Sequence, residues 1–248
     1  MTIFELYDKI MEQFYGLPMA TQEALGKKIS IVKDPVPEVQ LLPEGESPHP
    51  YIDKPEYRVI ADYEGAKGEA YTETPFEFEG TLREAVEIKP TEAGIDARVI
   101  AAINAALCSW DFLPGTFPDD PEIHHKYAAD LYNYVTRNMG YRSNVVLIGY
   151  DGYIVKKFVE GGMDFWTLDR NPSNISQNRF EHVVVNGAKL NREACYEWGQ
   201  LFLLTGSTMT NGTVTHFLDR EIKTLFYGIT AAGPARLLGL HWFPTRPR

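Results

Sequence analysis

The sequence predicts a chain in two parts, an α+β region over residues 1–140 and a Rossmann-like α/β region over residues 141–248. Two observations carry this. After Gly140, short apolar, β-branched runs alternate with helix-forming runs, and that alternation implies parallel strands joined by right-handed crossovers. Before Gly140, strands follow one another through a glycine-containing turn and the helices stand apart from them. A length of 248 residues allows one large domain or two small ones.

Taken in order, Phe4, Tyr7, Met11 and Phe14 fall at near-helical spacing, and Gly16-Leu17-Pro18 stops the run. In "KKISIVKD", Ile29, Ile31 and Lys33 alternate with Lys28, Ser30 and Val32, a strand pattern. Six prolines between Asp34 and Tyr57 speak against regular structure there, because proline donates no amide hydrogen bond; a loop of this length is either disordered or functional. "YRVIADYEGAKGEAYTET" predicts strand, turn and strand, and "EGTLREAVEI" a short helix. In "IDARVIAAINAALCSW", Ile95, Val99, Ile103, Ala106 and Trp110 trace one apolar face, with alanines that permit close packing. Asp119-Asp120-Pro121 opens a further helix, with Ile123, Tyr127, Leu131 and Tyr134 on one side and Gly140 at its end. Beyond it, "SNVVLIGYDG", "DFWTLDR", "HVVVN", "QLFLLTG" and "FYGITAAG" predict strands; "YIVKKFVEGG", "NREACYEW", "NGTVTHFLDREIK" and "PARLLGL" predict helices.

A formal net charge of −10, with no Lys/Arg cluster to offset it, speaks against nucleic acid and anionic membranes as partners. The N-terminal run mixes charges among its apolar residues and does not resemble a signal peptide. No apolar stretch reaches the ~18–20 residues of a membrane span. Cys108 and Cys195 lie far apart without a CxxC motif, so reduced, buried thiols and a cytoplasmic location are expected.

The stretch Thr205-Gly206-Ser207-Thr208-Met209-Thr210-Asn211-Gly212-Thr213 stands between a buried strand and a helix. That position is the carboxyl end of the sheet, where open α/β sheets bind ligands. Gly206 and Gly212 would let a ligand approach the backbone; exposed amides with the hydroxyls of Ser207, Thr208 and Thr213 would favour polar oxygens or an anion. Asn211 would cap the following helix. On this reading Gly206→Val blocks the ligand and leaves the fold largely intact. The bland alternative is a tight strand–helix turn, which needs fewer such residues. Gly149-Tyr150-Asp151-Gly152 imitates a dinucleotide turn but lacks G-x-G-x-x-G, and Asp169, twenty positions on, stands where a Rossmann acid would meet a ribose. Asp169 capping a loop or pairing with Arg170 is the plainer reading. The six histidines form no HxxxH or HExxH motif; His124, His125, His182 and His216 read as surface or capping residues. Asn104, among alanines, is either bonded in the core or turned to a cleft.

"LFLLTGSTMTNGTVTHFL" closely resembles the signature of the putative heavy-metal-chelation domain family. "SNVVLIGYDG", "DFWTLDR" and "GITAAGPARLLG" resemble its first strand and turn, its second strand and its late glycine–proline loop. "FELYDKIMEQF", "GEAYTETPFEFEGTL" and "IDARVIAAINAAL" resemble the family's partner domain, with its enolase-N-terminal-like α+β fold. Ala235 departs from the pattern, since a serine or threonine is expected after Pro234. The resemblance implies a cleft between the halves that binds a small anionic or heteroaromatic molecule, a metal ion or metal chelate included. Its candidate ligand residues are Asn104, Gly149, Tyr150, Asp169, Arg170, Thr205, Gly206, Ser207, Thr208, Asn211, Gly212 and Thr213. The competing expectation is a nucleotide- or S-adenosylmethionine-dependent enzyme working over Gly149–Gly152. Catalysis is left open, with Tyr150, Asp151 and Asp169 as proton-carrying candidates; so is assembly, a homo-oligomer included.

Overall fold

Thr2 starts the first helix, α1 (Ile3–Tyr15): its hydroxyl accepts from the Glu5 amide while the Glu5 carboxylate accepts from the Thr2 amide. The buried stripe is Ile3, Leu6, Tyr7, Ile10, Met11 and Phe14. Phe4 lies off it and is 46 % exposed, against the expected face. The computed structural model describes residues 1–35, 57–115, 121–140, 143–171, 174–175, 178–179, 182–187 and 192–244. Most of the proline-rich 34–57 stretch and the Asp119-Asp120 helix start lie outside these.

A short helix α2 (Gln22–Gly26), capped by Thr21, leads into β1 (Lys28–Pro35). Ile29 and Ile31 face inward and Val32 outward, as the alternation requires. Strands β2 (Tyr57–Tyr63) and β3 (Ala66–Thr72) are joined through Glu64 and Gly65, both at positive φ (54° and 82°), the two-residue turn suited to the twist of a hairpin. With β4 (Phe78–Thr81) they form an antiparallel sheet in the order β3-β2-β1-β4. Helix α3 (Leu82–Val86), with a Thr81/Glu84 capping box, follows. Helix α4 (Ala97–Ser109) lies on β2 and β3 and is buried along every residue from Val99 to Leu107, not on one face only. The alanines have a clear cause: a Cβ on Gly68 of β3 would stand 2.1 Å from the Ala105 amide nitrogen and 2.4 Å from the Ala101 carbonyl oxygen. Helix and strand meet there backbone to backbone.

The last element before Gly140 is α5 (Pro121–Met139), whose Ala128, Leu131 and Val135 are buried; Tyr134, expected among them, is 41 % exposed. Then come β5 (Val145–Ile148), α6 (Gly152–Glu160), β6 (Phe165–Asp169), β7 (Asn178–Arg179), β8 (His182–Asn186), α7 (Arg192–Trp198) and β9 (Leu201–Thr205). Of the helix expected over 211–223 only one turn forms, α9 (Thr215–Leu218); another one-turn helix, α8 (Ser207–Thr210), precedes that run, and Gly212 with φ 72° separates the two. Strand β10 (Thr224–Tyr227), a 3-10 turn (Ile229–Ala231) and α10 (Ala232–Leu238) complete it.

The sheet order is β10-β9-β5-β6-β8-β7, with five parallel strands and β7 antiparallel at the edge. The chain starts at the central β5, builds outward through β6 and β8, then returns to β9 and β10 on the other side. The switch point therefore falls between β5 and β9. One sheet face (Val145, Leu147, Leu201, Leu203) packs with α5 and α6. The other (Val146, Leu168, Phe202, Leu204, Phe226) shares one continuous core with α1, α4 and the antiparallel sheet. No helix among the described residues is long and apolar enough to cross a membrane.

Candidate functional site

The loop after β9 is built into the junction between the two parts. A Cβ on Gly206 would stand 2.4 Å from the Ala231 amide nitrogen and 2.6 Å from Thr230 Cβ. The close approach that Gly206 permits is thus to the protein's own 3-10 turn. Gly212 faces the Ala93 carbonyl, and a Cβ on Gly94 would stand 2.1 Å from the Thr210 carbonyl oxygen. Thr208 donates to the Thr205 carbonyl (2.7 Å), and the Thr210 hydroxyl lies 3.0 Å from both the Tyr71 and Ser207 carbonyls. The Ile95 amide donates to the Met209 carbonyl (3.1 Å). Asn211 accepts from the Thr213 amide and hydroxyl (3.1 and 2.6 Å) in a local turn. Glycines and hydroxyls here do what a ligand loop would ask of them, but for the neighbouring half of the chain.

Asn104 is 1 % exposed. Its Nδ2 donates to the Glu69 and Ile229 carbonyls (2.9 and 3.2 Å) and its Oδ1 accepts from the Gly233 amide (2.7 Å). The core alternative holds: the amide stitches β3 to the start of α10.

Gly149 ends β5 with φ 91°, and a Cβ there would meet Thr205 Cγ2 at 2.5 Å. The Tyr227 hydroxyl closes this corner, 3.1 and 3.0 Å from the Ile148 and Gly149 carbonyls. The Tyr150 amide donates to Asp169 Oδ2 and the Asn171 amide to Oδ1, both at 2.6 Å. Asp169 thus ties the ends of β5 and β6 together, the loop-capping alternative. Burial pushes its pKa up, against the pull of the Asn171 and Tyr150 amides. Asp151 caps α6 through the Ile154 amide (3.0 Å) and is also pushed up by burial, opposed by that amide and by nearby His124.

A cavity of about 280 Å³ opens at the carboxyl ends of β5, β6 and β8, between α7 and α9. Its floor is apolar: Ile148, Leu168, Cys195, Phe202 and Phe217. Asp169, Arg170, Arg192, Thr213 and His216 surround it, with Gly187 and Tyr196. Two arginines and a histidine gather here in a chain of net charge −10. Arg170 and Arg192 are exposed, so their guanidinium groups keep their water while offering N–H forks. Arg192 Nη1 lies 3.3 Å from His216 Nδ1. Burial first, then Arg192 and Arg170, hold the His216 pKa below its ordinary value. Cys195 is 3 % exposed and burial raises its thiol pKa, so it stays a protonated thiol.

Of the twelve expected ligand residues, Asp169, Arg170 and Thr213 line this cavity; the other nine do not. The cavity lies on the sheet face that carries the front half, yet among the described residues its lining begins at Ile148. The sequence reading missed Arg192, Tyr196 and Phe217, and gave His216 no functional part. Arg192 and His216 are brought together by β9 and its flanking turns, and no local spacing announces them.

Among the described residues, no group of three or more His, Cys, Asp or Glu side chains is placed to hold a metal ion. The cavity's chemistry agrees: both Asp169 oxygens already accept amides, Nδ1 of His216 faces Arg192, and the two guanidiniums repel a bare cation. No curated protein matches the chain. Residues 134–232, which span the parallel sheet from the end of α5 to the start of α10, match the model of a family described as putative heavy-metal chelation, and over this stretch the chain is similar to that family.

Proposed function

We propose that the protein binds a small anionic molecule in the cavity at the carboxyl end of the parallel sheet, and that a metal reaches it already wrapped in such a molecule. The carrying observation is the pairing of Arg170, Arg192 and His216 around an apolar floor. Guanidinium forks match carboxylate, phosphate and catecholate-type oxygens, and phenylalanine and tyrosine rings suit an aromatic body. The family description supports chelation chemistry, and the lining supports an anionic chelate over a naked ion. The adenosine-binding alternative gains nothing from Asp169, whose carboxylate is engaged by the Tyr150 and Asn171 amides. Thr205–Thr213 contributes through Thr213 at the cavity wall; its remaining residues hold the wall in place.

A thermal-shift comparison tests this reading with citrate, ferric citrate, inorganic phosphate and salicylate against zinc and nickel chlorides alone. The expected result is stabilisation by anions that disappears in Arg192→Met, with no shift from the bare metals. Stabilisation by zinc or nickel chloride and by none of the anions would count against it.

A further inference from the structure

We infer that the cavity takes an aromatic or heteroaromatic oxyanion, read at its mouth by hydrogen-bond donors, with His216 fixed as the neutral tautomer protonated on Nε2. This rests on the cavity being the ligand site.

The tautomer follows from one contact. A guanidinium has donors and no acceptor. Arg192 Nη1 stands 3.3 Å from His216 Nδ1, so Nδ1 must be the acceptor and the ring proton must sit on Nε2. A second proton, on Nδ1, would set N–H against N–H beside two cationic side chains. The ring is therefore a neutral donor at ordinary pH. Its own backbone is held as well: the Tyr196 hydroxyl donates to the His216 carbonyl (3.0 Å), and Arg220 lies over the Tyr196 ring at 3.9 Å.

The acceptors around the mouth are largely used. Asp169 Oδ1 and Oδ2 each hold a 2.6 Å bond from a backbone amide. The Thr213 hydroxyl donates to Asn211 Oδ1 and the Tyr196 hydroxyl to the His216 backbone carbonyl, so each keeps only the weak lone pairs of a neutral hydroxyl. Among the described residues, the strong side-chain groups of the lining still to be satisfied are donors: the Arg170 and Arg192 forks and His216 Nε2–H. An ammonium would need acceptors here; an oxyanion supplies them to the donors, with charge-assisted bonds that a neutral hydroxyl lacks. Behind the mouth, Ile148, Leu168, Cys195, Phe202 and Phe217 offer no charge, and about 280 Å³ is at the small end of ligand pockets. A one- or two-ring body fits such a floor, with its negative oxygens directed outward.

The test titrates salicylate and salicylamide into the full-length protein by calorimetry. The two share a ring and a hydroxyl and differ in whether the head is an anion. Variants His216→Gln and His216→Asn separate the two ring nitrogens, because glutamine places an N–H₂ near Nε2 whereas asparagine reaches only as far as Nδ1. Salicylate should bind at least ~10-fold more tightly than salicylamide, as expected for a charge-assisted head contact. His216→Gln should stay within ~3-fold of the wild type and His216→Asn should lose ~10-fold. Long-range ¹⁵N–¹H spectra of the unliganded wild type, which need no variant, should show the proton on Nε2. Equal binding of the two compounds, an indifferent His216→Asn, or a proton on Nδ1 would overturn the inference; the cavity reading would survive these if citrate still binds and Arg192→Met abolishes it. Binding of citrate but of neither ring compound would remove the aromatic class alone. Binding of no anion at all would remove both the inference and the reading beneath it.

Discussion

Two corners of the parallel sheet, both at strand carboxyl ends, have opposite fates. At the end of β9, glycines and hydroxyls crowd together and the protein itself fills the space: Gly206 abuts the Thr230–Ala231 backbone and Thr210 bonds Tyr71 of the front half. At the ends of β5, β6 and β8 the sequence is plain, yet a cavity remains with two arginines and a histidine around it. Small residues permit backbone approach, but they do not say what approaches. Unspent donors beside an open volume do.

Breaking the first corner should have the largest effect. Gly206→Val drives a side chain into the Thr230–Ala231 backbone, and urea unfolding should show a loss of about 3 kcal/mol, since neighbours of this kind cannot swing aside. This reverses the expectation from sequence that the fold tolerates the change. A variant of wild-type stability that no longer binds ligand would restore the loop as the ligand site. Asn104→Ala comes next. It removes the three hydrogen bonds that Asn104 makes with the Gly233 amide and the Glu69 and Ile229 carbonyls, which should cost about 2 kcal/mol in the same experiment. An unchanged midpoint would mean that the junction does not depend on this amide.

The second corner should respond in binding and not in stability. Arg192→Met keeps an aliphatic stem and removes the fork, so anion affinity should fall ~10-fold or more while unfolding shifts by less than ~0.5 kcal/mol. The smallest effect should come from Asp151. Burial raises its pKa in the folded state, so the fold holds this proton more tightly than the unfolded chain does. Its contribution to stability is then full below the ordinary carboxylate pKa and is lost as pH rises through the raised value. Asp151→Asn keeps an oxygen for the Ile154 amide without the charge. It should be slightly more stable than the wild type at pH 7, with a flatter profile from pH 4 to 7. A variant less stable at pH 7 would show that the charged cap outweighs its desolvation.

Much of the architecture is legible in the sequence because it rests on local periodicity. The parallel strands and α6, α7 and α10 follow from alternation after Gly140, and the β2–β3 hairpin from Glu64-Gly65. Local pattern fails where packing decides. Helix α4 reads as one-faced, yet Gly68 draws it down until all sides are covered. The 211–223 run reads as one helix, yet Gly212 turns it against the Ala93 carbonyl. The candidate site is legible in its placement at strand carboxyl ends and in Asp169, Arg170 and Thr213. It is not legible in Arg192 and His216, which are 24 positions apart and meet only after β9 has joined the sheet beside β5.

The most direct test of the account compares salicylate binding to the wild type, Ser207→Ala and Arg192→Met in parallel titrations. If the cavity beside β6 is the ligand site, Ser207→Ala binds as the wild type does and Arg192→Met loses at least ~10-fold. Loss in Ser207→Ala with Arg192→Met unaffected would place the ligand at the end of β9 and contradict the account.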